Sequence, residues 1–188
     1  MAPLLHPNDV DRWINPVHKA MKTLTKLLAV FVITIGSFAS ASAQTPLPSL
    51  NGGTVDVQAQ KGKVVIIAVG ASWLPLSGKQ AEFTTALAKK YAAKNVAIYF
   101  VATDSTNPRS KNYATDEQIR QWATANRLTV PMLRDSDGAN VMRKFAVDQL
   151  PAFIVLDKNG AQSGAAFGGI DPKYDITVPI SKKVDSLL

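Results

Sequence analysis

Two continuous apolar runs dominate the hydrophobic pattern of this chain and predict buried strands. Residues 64–69 read Val-Val-Ile-Ile-Ala-Val, and residues 95–102 read Asn-Val-Ala-Ile-Tyr-Phe-Val-Ala. Such runs of β-branched and aromatic residues, without polar alternation, are typical of strands buried on both faces of a sheet. The first run leads into a loop around Trp73, and the second leads into a polar loop at residues 103–114.

Amphipathic spacing predicts helices that follow these strands. One covers about residues 77–93, a second opens with a capping-box sequence at 115–118 and ends near 126, and a third lies within 170–188. The side chains expected on the inward faces are Phe83, Leu87, Tyr91, Ile119, Trp122, Ala123, Ile180, Val184 and Leu187.

The segment between the second and third helices predicts further strands. A short extended stretch at 130–134 precedes a turn and a helix around 139–145. A strand at 147–157, a hairpin turn at 158–160 and a returning strand at 161–167 follow. Strands and helices in this order predict an α/β sandwich around one mixed sheet.

The N-terminal region has the pattern of an export signal. Lys22 and Lys26 precede an apolar stretch at 27–38, and Ala41-Ser42-Ala43 supplies a small-residue cleavage pattern before Gln44. A retained membrane anchor is the alternative, although a spanning helix needs about 20 apolar residues. We therefore predict four segments, a mis-called start or extension at 1–20, a signal peptide at 21–43, a linker at 44–49 and a folded domain at 50–188.

Composition limits the chemistry of the exported chain. The sequence has no cysteine, and its two histidines, His6 and His18, precede the predicted cleavage site. Disulfides, thiol catalysis, zinc-thiolate sites and Ser-His-Asp catalysis are therefore excluded, and we expect no metal and no cofactor. Residues 44–188 hold 17 basic and 12 acidic residues, a net charge of +5, but no basic stripe with interleaved aromatics, so we expect no nucleic-acid partner.

The order of four motifs resembles the exported redoxin branch of the thioredoxin-like superfamily, the TlpA-type thiol–disulfide oxidoreductases. The motifs are Gly62-Lys63-Val64-Val65, Ala71-Ser72-Trp73-x-Pro75, Leu133-Arg134-Asp135-x-Asp137-Gly138, and the run from Leu150-Pro151 to Asn159-Gly160. The resemblance implies a three-layer sandwich with a central mixed sheet flanked by helices. It also implies a cis peptide bond between Leu150 and Pro151, packed against the Trp73 loop, and a periplasmic location, with secretion or a signal anchor as alternatives.

The chain departs from the family at the reactive positions. Leu74 occupies the position of the attacking thiol, and Ser77 occupies the position of the resolving thiol. A leucine side chain cannot ionise and a serine hydroxyl cannot form a disulfide, so thiol–disulfide exchange by this chain alone is excluded.

The former active-site loop remains a candidate binding face. Trp73 is either an exposed recognition residue or a core residue, and Pro151 either frames a peptide groove or only maintains the fold. Ser77 is a nucleophile without an evident base or, as the S-x-x-Q sequence indicates, a helix cap. The residues assigned to this face are Trp73, Leu74, Pro75, Leu76, Ser77, Leu150 and Pro151.

Two other charged features have simpler interpretations. Asp135 and Asp137 suggest a calcium loop, but the full spacing and the distal glutamate are missing, so a polar turn is favoured. Lys79 lies near a helix N-terminus, where anions bind, but a solvated surface lysine is the simpler interpretation.

Three functions are consistent with these observations. The first is an exported binding or scaffolding protein that contacts an apolar peptide or protein partner through the former active-site face. The second is a family-type oxidoreductase in cell redox homeostasis that uses a thiol supplied in trans. The third is a structural subunit of an envelope complex.

Overall fold

The computed structural model describes residues 45–188. The predicted extension at 1–20 and the predicted signal peptide at 21–43 lie outside these residues. Within 45–188, no helix is both long enough and apolar enough to cross a membrane.

The described chain alternates short strands with helices in the predicted order. Its strands are β1 (Pro46–Pro48), β2 (Thr54–Asp56), β3 (Val64–Gly70), β4 (Val96–Ala102), β5 (Met132–Arg134), β6 (Ala152–Leu156) and β7 (Phe167–Gly168). Its helices are α1 (Ser77–Lys90), α2 (Asp116–Ala125), α3 (Val141–Lys144) and α4 (Thr177–Asp185), with a 3₁₀ turn at Ser136–Gly138.

Five strands form one mixed sheet in the order β5-β4-β3-β6-β7. β3 pairs in parallel with β4, and β4 pairs in parallel with β5, whereas β6 runs antiparallel to β3 and β7 antiparallel to β6. β1 and β2 form a separate antiparallel pair. This architecture confirms the predicted α/β class with a central mixed sheet.

The central strand β3 separates two apolar layers. All seven of its residues are buried, so alternate side chains enter opposite layers. Val64, Ile66 and Ala68 join the layer formed with α1, α2 and α4. Val65, Ile67 and Val69 join the layer formed with β1 and α3. Helices therefore flank the sheet on both faces, as the predicted three-layer sandwich requires.

The start of α2 confirms the predicted capping box. The Thr115 hydroxyl accepts from the Gln118 amide at 3.1 Å, and the Gln118 side chain accepts from the Thr115 amide at 2.8 Å. Ile119 and Ala123 are buried, and the Trp122 ring packs on Phe100 with centroids 5.3 Å apart.

Three local predictions were wrong. Residues 46–48, expected within a linker, form β1, because Leu47 is buried between two prolines and anchors the strand. The returning strand predicted at 161–167 is reduced to a bridge at Gln162 and the two-residue β7. The first helix is capped by Leu76 without any side-chain bond, so Ser77 is not its cap.

Arg134 on β5 stabilises the loop after β4, residues 105–114, by hydrogen bonds to both of its ends. Its guanidinium is buried and donates to the carbonyl oxygens of Ser105 (3.1 Å) and Ala114 (2.8 Å), which close that loop. It also pairs with the exposed carboxylate of Asp116 at 3.0 Å. One buried cation thus fixes a ten-residue loop at both of its ends.

We predict that Arg134→Met lowers the free energy of unfolding by about 1–3 kcal/mol, because the Ala114 carbonyl oxygen loses its donor and the Ser105 carbonyl oxygen loses one of two. Asp116→Asn is the matched control and is expected to cost less than about 1 kcal/mol, since an exposed carboxylate contributes little. Urea unfolding followed by circular dichroism measures both values. Equal losses in the two variants would assign the effect to the ion pair instead.

Helix α4 is held on α1 by a polar contact at its last turn. The buried Tyr91 ring places its hydroxyl 2.8 Å from the Asp185 carboxylate, to which it donates. The Lys90 ammonium lies 3.4 Å from the same carboxylate. The Tyr91 hydrogen bond, assisted by Lys90, holds the pKa of Asp185 below its ordinary value.

A lowered native pKa means that this carboxylate stabilises the fold above pH about 4 and loses that effect as the pH falls through the native pKa. We therefore predict that Asp185→Asn is less stable than the wild type at pH 7 and that the difference shrinks toward pH 3. Urea unfolding of both proteins at the two pH values checks this. A difference that grows toward low pH would contradict the assigned contact.

Candidate functional site

The candidate site is the loop between β3 and α1, residues 71–76, which we call the Trp73 loop. Trp73 is 48% exposed, and Pro75 is also exposed. Leu74 and Leu76 are half-buried. Trp73 is thus exposed to solvent at the end of the central strand β3, and it is not a core residue.

Ser77 closes the base of the Trp73 loop from inside. It is fully buried, its hydroxyl oxygen accepts from the Ala71 amide at 3.4 Å, and its amide donates to the Leu74 carbonyl at 3.1 Å. A second turn bond joins the Leu74 amide to the Ala71 carbonyl at 3.2 Å. These contacts favour a structural role for Ser77, since a buried hydroxyl cannot meet a substrate.

Gln80 joins the helix to two strands. Its side-chain amide nitrogen donates to the carbonyl oxygens of Val69 (3.1 Å) and Ala152 (2.7 Å), and the residue is fully buried. A Cβ at position 70 would lie 2.2 Å from the Gln80 Oε1 atom, so Gly70 is required for this approach. Gln80 was not among the predicted site residues, although its position one turn before Phe83 and Thr84 marks it as inward-facing.

A buried carboxylate fixes the exposed end of the Trp73 loop. The Ser72 amide donates to both Asp104 oxygens at 3.1 Å, and the Ser72 hydroxyl donates to Asp104 Oδ1. Asp104 is fully buried just after β4. The adjacent Thr103 amide donates to the Gly70 carbonyl at 2.8 Å. Sequence reasoning placed Asp104 in a polar loop and did not connect it to Trp73.

The Leu150–Pro151 segment lies at the same edge of the sheet. The peptide bond between these residues is cis, Pro151 is buried and Leu150 is half-buried. Ala152 pairs with Val69 in the antiparallel register, so Pro151 lies opposite Gly70, the last residue of β3. The structure thus brings the predicted residues of the Trp73 loop and Leu150-Pro151 together, while their role in binding stays a prediction.

The charged motif after β5 forms a polar turn. The buried Asp135 carboxylate accepts from the Asn140 side chain (2.9 Å) and the Val141 amide (2.8 Å) at the start of α3. Asp137 lies in the left-handed region at φ 58° and accepts from the Ser105 hydroxyl at 3.2 Å. Among residues 45–188, no group of three or more His, Cys, Asp or Glu side chains is placed to hold a metal ion.

Lys79 does not face the Trp73 loop as a free cation. Its ammonium lies 2.6 Å from Glu82 and 5.1 Å from the centre of the Phe83 ring. Lys79 also acts on Asp175. Hydrogen bonds from Thr177 lower the pKa of the Asp175 carboxyl below its ordinary value, and the positive charge of Lys79 adds a smaller lowering. The surface interpretation of Lys79 is therefore the better one.

The Trp73 loop and the cis Leu150–Pro151 segment lie where the resemblance predicts a thiol–disulfide site, but the thiols are absent. The half-exposed Leu74 and the buried Ser77 occupy the two thiol positions, and the sequence has no cysteine. The described part of the chain also contains no histidine. The site therefore offers an aromatic and apolar surface at the same end of the sheet as a cis-proline segment, without a thiol.

Comparisons with known proteins agree with this structure. The AhpC/TSA family model matches residues 39–161. The Thioredoxin-like protein YneN of Bacillus subtilis is 28% identical over 116 residues, which cover 61% of this chain and 62% of that protein. The chain thus aligns with less than two thirds of the length of this curated relative.

Solved structures share the fold at low identity. The exposed lipoprotein thioredoxin Etrx1 of Streptococcus pneumoniae superposes with a TM-score of 0.61 at 21% identity, covering 77% of this chain and 100% of that one. A secreted disulfide oxidoreductase of Mycobacterium tuberculosis gives a TM-score of 0.57 at 18% identity, covering 79% and 100%. Sequence and fold together place the chain in the redoxin branch of the thioredoxin-like superfamily, and it belongs to the AhpC/TSA family while lacking every cysteine.

Proposed function

We propose that this protein is an exported, non-catalytic member of its family that binds a protein or peptide partner through the former active-site face. The observation that carries the proposal is the exposed Trp73, held on an intact loop beside the cis Leu150–Pro151 segment although both thiol positions are occupied by other residues. Half-exposed tryptophans are frequent energetic anchors of protein interfaces.

The chemistry of the face favours an apolar contact. Leu74 and Leu76 flank Pro75 and remain partly accessible, and none of these side chains forms hydrogen bonds or carries charge. Replacing a thiol by leucine makes the face more apolar, and burial of apolar area contributes about 25 cal/mol per Å². A partner would therefore be held by contact and not by a transient disulfide.

Export is part of the proposal and is supported by two observations. The sequence at 21–43 has the pattern of a signal peptide ending before Gln44. Two structural neighbours are an exposed lipoprotein and a secreted protein. We propose the periplasm as the location and residues 46–188, which include β1, as the working domain.

We predict that partner recovery from envelope extract depends on Trp73. The tagged full chain is compared with Trp73→Ala/Leu74→Asp, which removes the aromatic anchor and adds a charge to the apolar face. The expected loss is at least tenfold in recovered partner, because an interface tryptophan contributes about 2 kcal/mol or more.

Leu188→Ala is the matched control for this pull-down. Leu188 is an exposed apolar residue (41%) whose backbone oxygen accepts from Lys158, at the opposite end of the sheet from the Trp73 loop. Circular dichroism verifies that all proteins are folded. If the double variant retains the partners, binding occurs at another surface, and the protein is better interpreted as a structural subunit.

A further inference from the structure

Building on the proposed function, we propose that the partner segment is acidic, with an apolar side chain on the Trp73 loop and carboxylates on Arg109 and Lys111. These two cations lie in the loop between β4 and α2, residues 105–114, which we call the cationic loop. The apolar face alone does not determine the charge of the partner, whereas Arg109 and Lys111 favour an acidic one.

The cationic loop and the Trp73 loop leave the same edge of the sheet. β3 and β4 are adjacent and parallel, and their last residues, Gly70 and Ala102, pair in register. The Trp73 loop also bonds the residue that precedes the cationic loop, since the Ser72 amide donates to the buried Asp104 carboxylate. The cationic loop is therefore the neighbour of the Trp73 loop on the β4 side.

The cationic loop is closed and held at its base. The Ser105 amide donates to the Asn112 carbonyl at 2.8 Å, and the Ala114 amide donates to the Ser105 carbonyl at 3.2 Å. The Arg134 guanidinium fixes the Ser105 and Ala114 carbonyl oxygens from the sheet side. The intervening residues are thus displayed on a fixed support.

The exposed charge of this loop is positive and unneutralised. Arg109 and Lys111 are both exposed, and neither takes part in an ion pair among residues 45–188. Tyr113 adds a 39% exposed aromatic ring to the same loop. Unpaired cations beside an apolar anchor are complementary to an acidic and apolar segment.

The carboxylates nearest to the loop are engaged by the protein itself. Asp104 and Asp135 are buried and hydrogen-bonded, and Asp116 pairs with Arg134. Asp137 is the exposed exception, and its carboxylate accepts from the Ser105 and Ser136 hydroxyls. The displayed residues 106–113 of the cationic loop thus carry Arg109 and Lys111 and no carboxylate of their own.

A displayed library of random 12-residue peptides tests the assignment. The library is selected on the purified full chain, on Trp73→Ala and on Arg109→Ala/Lys111→Ala. Lys61→Ala/Lys63→Ala is the matched control, because it removes two exposed lysines at the opposite end of β3. Selected peptides are labelled with fluorescein, and their dissociation constants are measured by polarisation at 50 mM and 500 mM salt.

We expect Trp73-dependent peptides enriched in Asp and Glu next to an aromatic or aliphatic residue. The Arg109→Ala/Lys111→Ala variant should bind them about three- to tenfold more weakly at low salt, with the difference shrinking at high salt, while the Lys61→Ala/Lys63→Ala control binds as the wild type does. Trp73-dependent peptides without acidic enrichment, or acidic peptides that bind the loop variant unchanged, would overturn this inference alone. Selection that recovers no Trp73-dependent peptide would overturn the proposed function as well.

Discussion

The side-chain amide of Gln80 is the contact on which this edge of the sheet depends. From the first turn of α1 it donates to carbonyl oxygens of β3 and β6, at Val69 and Ala152. A buried carbonyl that loses its donor costs about 1–3 kcal/mol, so this one side chain fixes the distance between the helix and both strands. None of these contacts involves sulfur, and the arrangement therefore persists in a chain without cysteine.

A second buried group extends this arrangement toward solvent. Asp104 holds the Ser72 amide and hydroxyl, and thereby sets where the next residue, Trp73, is displayed. In active family members the same edge would present a thiolate, whose pKa a helix N-terminus lowers. Here Leu74 presents hydrocarbon at that place. The proposed function rests on a loop that exposes Trp73 but carries no thiol. A fold can host a binding function without the reaction of its relatives.

Sequence patterns predicted the strands and the helix cap whose signals lie within a few neighbouring residues. The apolar runs of β3 and β4 and the capping box of α2 carry their signals within a few residues, and all three elements formed, although Val96, Ala97 and Tyr99 of β4 are only partly buried. The contacts that shape the site escaped prediction because their partners are distant in sequence. Gln80 bonds a residue 72 positions away and Asp104 one 32 positions away. The S-x-x-Q sequence that begins at Ser77 suggested a helix cap, but Ser77 and Gln80 are both fully buried.

We propose that the Trp73 loop keeps the framework of a thiol–disulfide site and lacks only the two thiols. The most direct test is reduction of insulin by dithiothreitol in the presence of the wild type, Leu74→Cys/Ser77→Cys and Leu74→Cys alone, each verified as folded. We expect that the wild type adds nothing to the dithiothreitol rate and that the double variant accelerates it beyond the single variant, because Gln80 already fixes the start of α1 and Asp104 the Ser72 end of the Trp73 loop. A folded double variant without acceleration, or turnover by the wild type, would contradict it.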